Sequence, residues 1–112
     1  MNAVIYARYS SDRQTEQSIE GQLRECREFA ASEGIHIIGE YIDRAISGTT
    51  ANRPEFQRMI ADSKYKTFQA VIVYKLDRFA RNRYDSAMYK SKLKANGVKV
   101  LSAKEHITDS PE

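Results

Sequence analysis

At 112 residues, with 41% hydrophobic and 29% charged side chains, the chain has the size and balance of one soluble globular domain, not of a disordered or fibrous sequence. No apolar run approaches the roughly 20 residues of a membrane-crossing helix, and Met1-Asn2 leads directly into a strand pattern with no secretory leader. Cys26 is the single cysteine and has no internal partner, so a reducing, cytoplasmic setting is expected. The net charge of +3 is unevenly spread: residues 1–74 hold nine basic and ten acidic groups, whereas residues 75–105 hold nine basic against three acidic. That surplus points to a polyanionic partner, although Lys90, Lys92 and Lys94 alone would equally make a solvated helix face.

In chain order, Asn2 to Ala7 reads as a buried strand. Ile19, Leu23, Cys26 and Ala30 recur at helical spacing and predict an amphipathic helix over residues 18–33, stopped by Gly34. Ile35 to Ile42 reads as a second strand. Pro54 suits the first turn of a helix whose inward stripe is Phe56, Met59, Ile60 and Ser63. Gln69 to Lys75 contains the most continuous apolar run and predicts a third strand. Asn82 is placed to cap a helix with Tyr84, Ala87, Met88 and Ser91 on one face, closed by Gly97. Val98 to Leu101 gives a fourth strand.

Strands separated by single helices predict an α/β fold: a mainly parallel sheet of four or five strands with helices on both faces. The apolar runs of the first and third strands fit central positions. Ligands of open α/β sheets bind outside the carboxyl ends of the strands. Residues 8–17, 43–53 and 76–83 are the polar segments that follow the first three strands, so they should share one edge.

Two clusters on that edge carry the chemistry. Tyr6-Ala7-Arg8-Tyr9-Ser10 offers a hydroxyl beside an arginine, and Asp77-Arg78-Phe79-Ala80-Arg81 offers two arginines and a carboxylate. A serine hydroxyl needs a base or a positive field to act as a nucleophile. His36 lies within the second strand and His106 near the end of the chain, so a Ser-His-Asp hydrolase is disfavoured, as is the absent glycine-flanked serine turn. Arginine forks match phosphate oxygens and stay charged. They suit attack on a phosphodiester, with each well-placed donor worth roughly 3 kcal/mol in the transition state.

Each residue also has a plainer role. Ser10 suits a turn or helix cap, and Ser11 beside it leaves the position ambiguous by one. Arg78 and Arg81 could share a helix face and pair with Asp77 or Asp85. Asp77 either holds the arginines or protonates a leaving oxygen. Gln14 and Gln22 are neutral polar groups within reach of phosphate or serine, or ordinary helix-surface glutamines. Asp43, Ser47-Gly48 and Arg53 lie in the loop after the second strand, and Gly48 permits a tight turn near a ligand. Tyr6 reads as part core, with its hydroxyl at the site edge, and Cys26 as core.

Two rival classes stay open on these residues. Asp12, Asp43 and Asp77 could hold magnesium in a metal-dependent phosphotransferase or nuclease. Alternatively the edge is a non-catalytic phosphate-binding module, a reading weakened by the lack of a glycine-rich phosphate loop.

Taken together, Tyr6-Ala7-Arg8-x-Ser10 with Gln14, Ser18-Ile19-x-x-Gln22, Asp43 with Ser47-Gly48 and Arg53, and Leu76-Asp77-Arg78-x-x-Arg81 resemble the catalytic domain of serine site-specific recombinases, the family of resolvases and invertases. The resemblance covers residues 2–103. Ser18-Ile19-Glu20-Gly21-Gln22 and Arg53-Pro54-Glu55-Phe56 are most similar to the large members, phage integrases and transposon enzymes. The resemblance implies that Ser10 attacks a DNA phosphodiester to leave a 5′-phosphoseryl link and a free 3′ hydroxyl. It implies that Arg8, Arg78 and Arg81 bind and activate the scissile phosphate, with Tyr6, Gln14, Gln22, Asp43, Ser47, Arg53 and Asp77 in support. No metal or other cofactor is implied. The implied partners are double-stranded DNA at specific attachment or resolution sites, and further copies in a dimer that pairs into a tetramer. Residues 1–112 would then be an N-terminal catalytic domain, ending before the long oligomerisation helix and the DNA-binding modules. Tyr9 stands where a smaller aliphatic residue is usual in the family.

Overall fold

A computed structural model describes residues 1–9, 18–44, 53–79 and 83–105. Strands β1 (Asn2–Tyr9), β2 (His36–Arg44), β3 (Ala70–Val73) and β4 (Lys99–Ser102) alternate with helices α1 (Ile19–Glu33), α2 (Pro54–Asp62) and α3 (Arg83–Ala95). All strand pairs are parallel and the order is β2-β1-β3-β4. The expected adjacency of β1 and β3 is therefore present, with Ala3, Val4, Ile5 and Tyr6 opposite Ala70, Val71, Ile72 and Val73.

Burial follows the two-residue period of the strands. Ala3, Ile5, Ala70 and Ile72 face α1, where Cys26 and Ala30 pack on them. Val4, Tyr6, Val71 and Val73 face the opposite layer, with Phe56 and Met59 of α2 and Leu93 of α3. Helices thus cover both faces, and the two central strands are buried along their apolar runs. Parallel β1 and β2 slip by one residue between Ala3 and Val4, where Ile38 is passed over and left exposed.

The helix boundaries have local causes. Ser18 caps α1 by accepting from the Gly21 N–H at 3.2 Å. Gly34 ends it in the left-handed region, at φ 72°. Gly97, at φ 80°, ends α3 the same way, with Val98 N–H bonded to the Leu93 carbonyl at 2.9 Å.

Several details differ from the sequence reading. β1 runs on to Tyr9 and β2 to Arg44, because parallel pairing carries Arg8 opposite Asp43 and Tyr9 opposite Arg44. β3 is shorter than read, since Leu76–Arg78 turns into a 3-10 helix. On α3, Tyr84, Ala87 and Ser91 are exposed rather than packed together inward. Its phase is set instead by Leu93 and Tyr89, whose ring meets Phe56 edge-on at 4.9 Å. Among the described residues no helix is long and apolar enough to cross a membrane.

Candidate active site

The strand order 2-1-3-4 reverses between β1 and β3, since α1 leads outward to one side and α2 to the other. That switch point, at the carboxyl edge of the sheet, is the usual ligand crevice of such folds. The chain leaving β1 there leads directly to Ser10, and the chain leaving β3 leads to Arg78. Ser10, Ser11, Asp12, Gln14, Ser47, Gly48, Arg81 and Asn82 lie outside the described residues, as do the side chains of Tyr9 and Asp77. The remaining expected site residues, Tyr6, Arg8, Gln22, Asp43, Arg53 and Arg78, all belong to this edge or to the helix beginnings beside it.

Asp43, near the end of β2, is buried and fully engaged. Its Oδ2 accepts from the Tyr6 hydroxyl at 2.8 Å and from the Phe56 N–H at 3.0 Å, and its Oδ1 accepts from the Glu55 N–H at 3.0 Å. The first turn of α2 carries unpaired N–H groups, and the residue at its own cap position, Arg53, makes no side-chain cap. Asp43 supplies that cap from a neighbouring strand, and its charge faces the positive end of the helix. This corrects the magnesium alternative at Asp43, because the carboxylate oxygens are already occupied by three protein donors. Among the described residues no three histidine, cysteine or acidic side chains gather as metal ligands.

Tyr6 is fully buried. Burial pushes its hydroxyl well above the ordinary tyrosine range; Arg53 opposes this, Asp43 reinforces it, and Arg8 opposes it more weakly. The hydroxyl is a donor that holds the Asp43 carboxylate in place.

Arg53 joins the elements. Its Nη1 donates to the Phe79 carbonyl at 2.8 Å, and its guanidinium lies 3.9 Å from the centre of the Phe56 ring. Phe79 is fully buried and follows Arg78 directly, so the start of α2 is tied to the turn that carries Arg78. The Tyr6, Phe56 and Phe79 rings stack edge-to-face beneath it, at 5.1 and 5.3 Å.

Gln22 is not a helix-surface glutamine. It is 1% exposed, and its side-chain amide meets the backbone of Arg8 with both ends. Its Nε2 donates to the Arg8 carbonyl at 3.0 Å and its Oε1 accepts from the Arg8 N–H at 3.4 Å. β3 stops opposite Tyr6, so the glutamine amide takes the place of a strand partner two residues further on. Arg8 is thereby held at the end of β1 with its side chain half-buried at the rim.

Three residues of this edge escaped the sequence reading. Phe56 and Phe79 look like ordinary core positions, and only their contacts with Arg53 show that they position it. Glu105 accepts from the Leu76 N–H at 2.8 Å, and its signal was the Ser102-x-x-Glu105 spacing of a capping pattern.

A protein-family model described as "Resolvase, N terminal domain" matches residues 3–112. Among solved structures, the N-terminal catalytic domain of TP901-1 integrase is 32% identical with a TM-score of 0.83, covering 96% of this chain and 80% of that one. A resolvase family site-specific recombinase from Streptococcus pneumoniae is 31% identical with a TM-score of 0.84, covering 100% of this chain and 78% of that one. A Bacillus subtilis (strain 168) protein that carries the name DNA recombinase is 26% identical over 110 residues. The match spans 96% of this chain but only 21% of that relative's length.

Proposed function

The chain belongs to the resolvase N-terminal domain family, and from that premise we propose that it is the catalytic domain of a site-specific serine recombinase. Its substrate is double-stranded DNA at specific attachment or resolution sites. The observation that carries the reading is the pairing of β1 with β3, Tyr6 opposite Val73, which delivers the segments bearing Arg8 and Arg78 to one crevice.

Ser10, the next residue in the chain after Tyr9, acts as the nucleophile. Its oxygen bonds to the scissile phosphorus while the bond from phosphorus to the 3′ oxygen breaks. The serine proton leaves to solvent or a nearby acceptor, and the departing oxygen takes up a proton, from Asp77 or water, to become a 3′ hydroxyl. Arg8, Arg78 and Arg81 neutralise the charge that builds on the non-bridging oxygens. Tyr6, Gln22, Asp43 and Arg53 hold the strand ends and turns that carry those groups, with Gln14 and Ser47 in supporting roles. The phosphoserine link conserves the bond energy, so the reverse attack by a 3′ hydroxyl rejoins the strand without metal or nucleotide.

The domain works in the cytoplasm as part of a longer polypeptide whose other segments supply DNA binding and the long oligomerisation helix. Two dimers pair so that four strands are cut and exchanged. The test uses the intact recombinase and a duplex bearing its own crossover site, taken from the ends of the DNA element that encodes it. Ser10→Ala is expected to abolish strand cleavage and leave DNA binding intact. Cleavage at the wild-type rate would refute the assignment and redirect it to Ser11.

A further inference from the structure

We propose that Glu105 is a positioning residue for Arg78, acting through the 3-10 turn Leu76–Arg78; the inference rests on the recombinase reading above. A turn of this kind begins with N–H groups that lack partners inside it. The residue at its cap position, Lys75, supplies no side-chain cap. The cap comes instead from the segment just past β4, the strand paired with β3. Glu105 lies 29 residues beyond Leu76, and its Oε1 accepts from the Leu76 N–H at 2.8 Å.

Glu105 is itself fixed. The same Oε1 accepts from the hydroxyl of Ser102 at 2.9 Å, and that hydroxyl accepts from the Glu105 N–H at 3.2 Å. Ser102 is buried at the end of β4. Beyond the strands, Ala103 and Lys104 N–H groups bond to the carbonyls of Val73 and Tyr74 at 2.9 and 3.1 Å, so the chain bearing Glu105 stays in line with the chain leaving β3. The turn is thus gripped at both ends: Glu105 holds Leu76 in front, and Arg53 holds the Phe79 carbonyl behind. Arg78 sits between the two grips. Its own N–H closes the turn on the Lys75 carbonyl at 2.9 Å. Releasing the front grip lets the turn drift without touching the arginine's charge, and displacements near 1 Å cost up to about 100-fold in rate for a group that must meet a transition state.

The test follows formation of the covalent protein–DNA adduct by the intact recombinase on a nicked duplex carrying its crossover site. Glu105→Ala is expected to slow adduct formation between about 10- and 100-fold, while DNA affinity and melting temperature stay close to wild type. Glu105→Gln keeps an oxygen acceptor for the Leu76 N–H and is expected to restore most of the rate. If Glu105 acts only through Arg78, the Glu105→Ala, Arg78→Ala double variant is no slower than Arg78→Ala alone. An alanine variant as fast as an active wild type overturns the role of Glu105 and leaves the recombinase reading standing. So does a glutamine variant as slow as the alanine one, or a double variant in which the losses multiply. A wild type that forms no adduct rejects the recombinase reading itself, and the role of Glu105 with it.

Discussion

The Arg53 guanidinium donates to the carbonyl of Phe79 at 2.8 Å and so fastens the beginning of α2 to the turn that follows β3. Those segments are 26 residues apart in the chain. The bond is half-buried and charge-assisted, and the guanidinium also rests on the Phe56 ring. One hydrogen bond of about 1.5 kcal/mol and a cation–π contact of about 1 kcal/mol set the scale.

Arg53→Ala is accordingly expected to lower the unfolding free energy by about 2 kcal/mol. Arg53→Lys should recover only part of this, because an ammonium keeps the charge but cannot reproduce the planar fork against the ring. Urea denaturation of the two variants checks the prediction, and equal stabilities for lysine and alanine would contradict the geometric account.

Asp43 satisfies three buried donors at once. Asp43→Ala should therefore cost about 3 kcal/mol, since it leaves the Tyr6 hydroxyl and two helix N–H groups without partners. Tyr6→Phe removes one donor and strands no buried group, so its cost should be near 1 kcal/mol. Thermal denaturation ranks the two, and a milder loss at Asp43 than at Tyr6 would contradict its role as the cap of α2.

Burial pushes the Cys26 thiol up from its ordinary 9.0 to about 12, with Glu25 adding to the rise and Arg27 opposing it. The folded thiol titrates above the unfolded one, so its contribution to stability is complete below about pH 9 and disappears as pH climbs through 12. Cys26→Ala should therefore flatten the fall of stability over that interval, measured by denaturant titration. Iodoacetamide at pH 8 should label the unfolded chain and spare the folded one. Rapid labelling of the folded protein would contradict this placement of the thiol.

Arg78→Ala should slow strand cleavage at least 100-fold, on the scale of losing one transition-state donor. Lys90→Ala should change it less than about threefold, as expected for a surface charge that adjusts affinity alone. Single-turnover rates at saturating DNA separate the two effects. Equal small losses would mean that Arg78 is only one more basic group on the surface.

The layered plan was legible because β1 and β3 are continuous apolar runs that alternate with helical patterns, as the central strands of a parallel sheet do. Their adjacency was an inference from the polar segments that follow them, and Tyr6 opposite Val73 bears it out. The phase of α3 was not legible. Tyr84, Ala87 and Ser91 keep helical spacing as well as Tyr89 and Leu93 do, and only the position of Phe56 across the layer chooses between the two stripes. The same limit applies to Gln22 and Asp43. Their residue types suited a polar rim, but their partners are the Tyr6 hydroxyl and backbone groups of Arg8, Glu55 and Phe56, brought close by strand register and helix placement that no local pattern encodes. The Ser102-x-x-Glu105 spacing signals a local cap, but the bond from Glu105 to a turn after another strand was hidden for the same reason.

Under the proposed function, Ser10 carries the DNA covalently. The most direct measurement incubates the intact recombinase with a nicked crossover-site duplex, digests the trapped complex and locates the modified peptide by mass spectrometry. The expected product is a 5′-phosphate linked to the Ser10 oxygen, formed in the presence of a strong chelator and absent from Ser10→Ala. A phosphate attached to any other residue, or cleavage that leaves no protein on the DNA and stops when metal is removed, would contradict it.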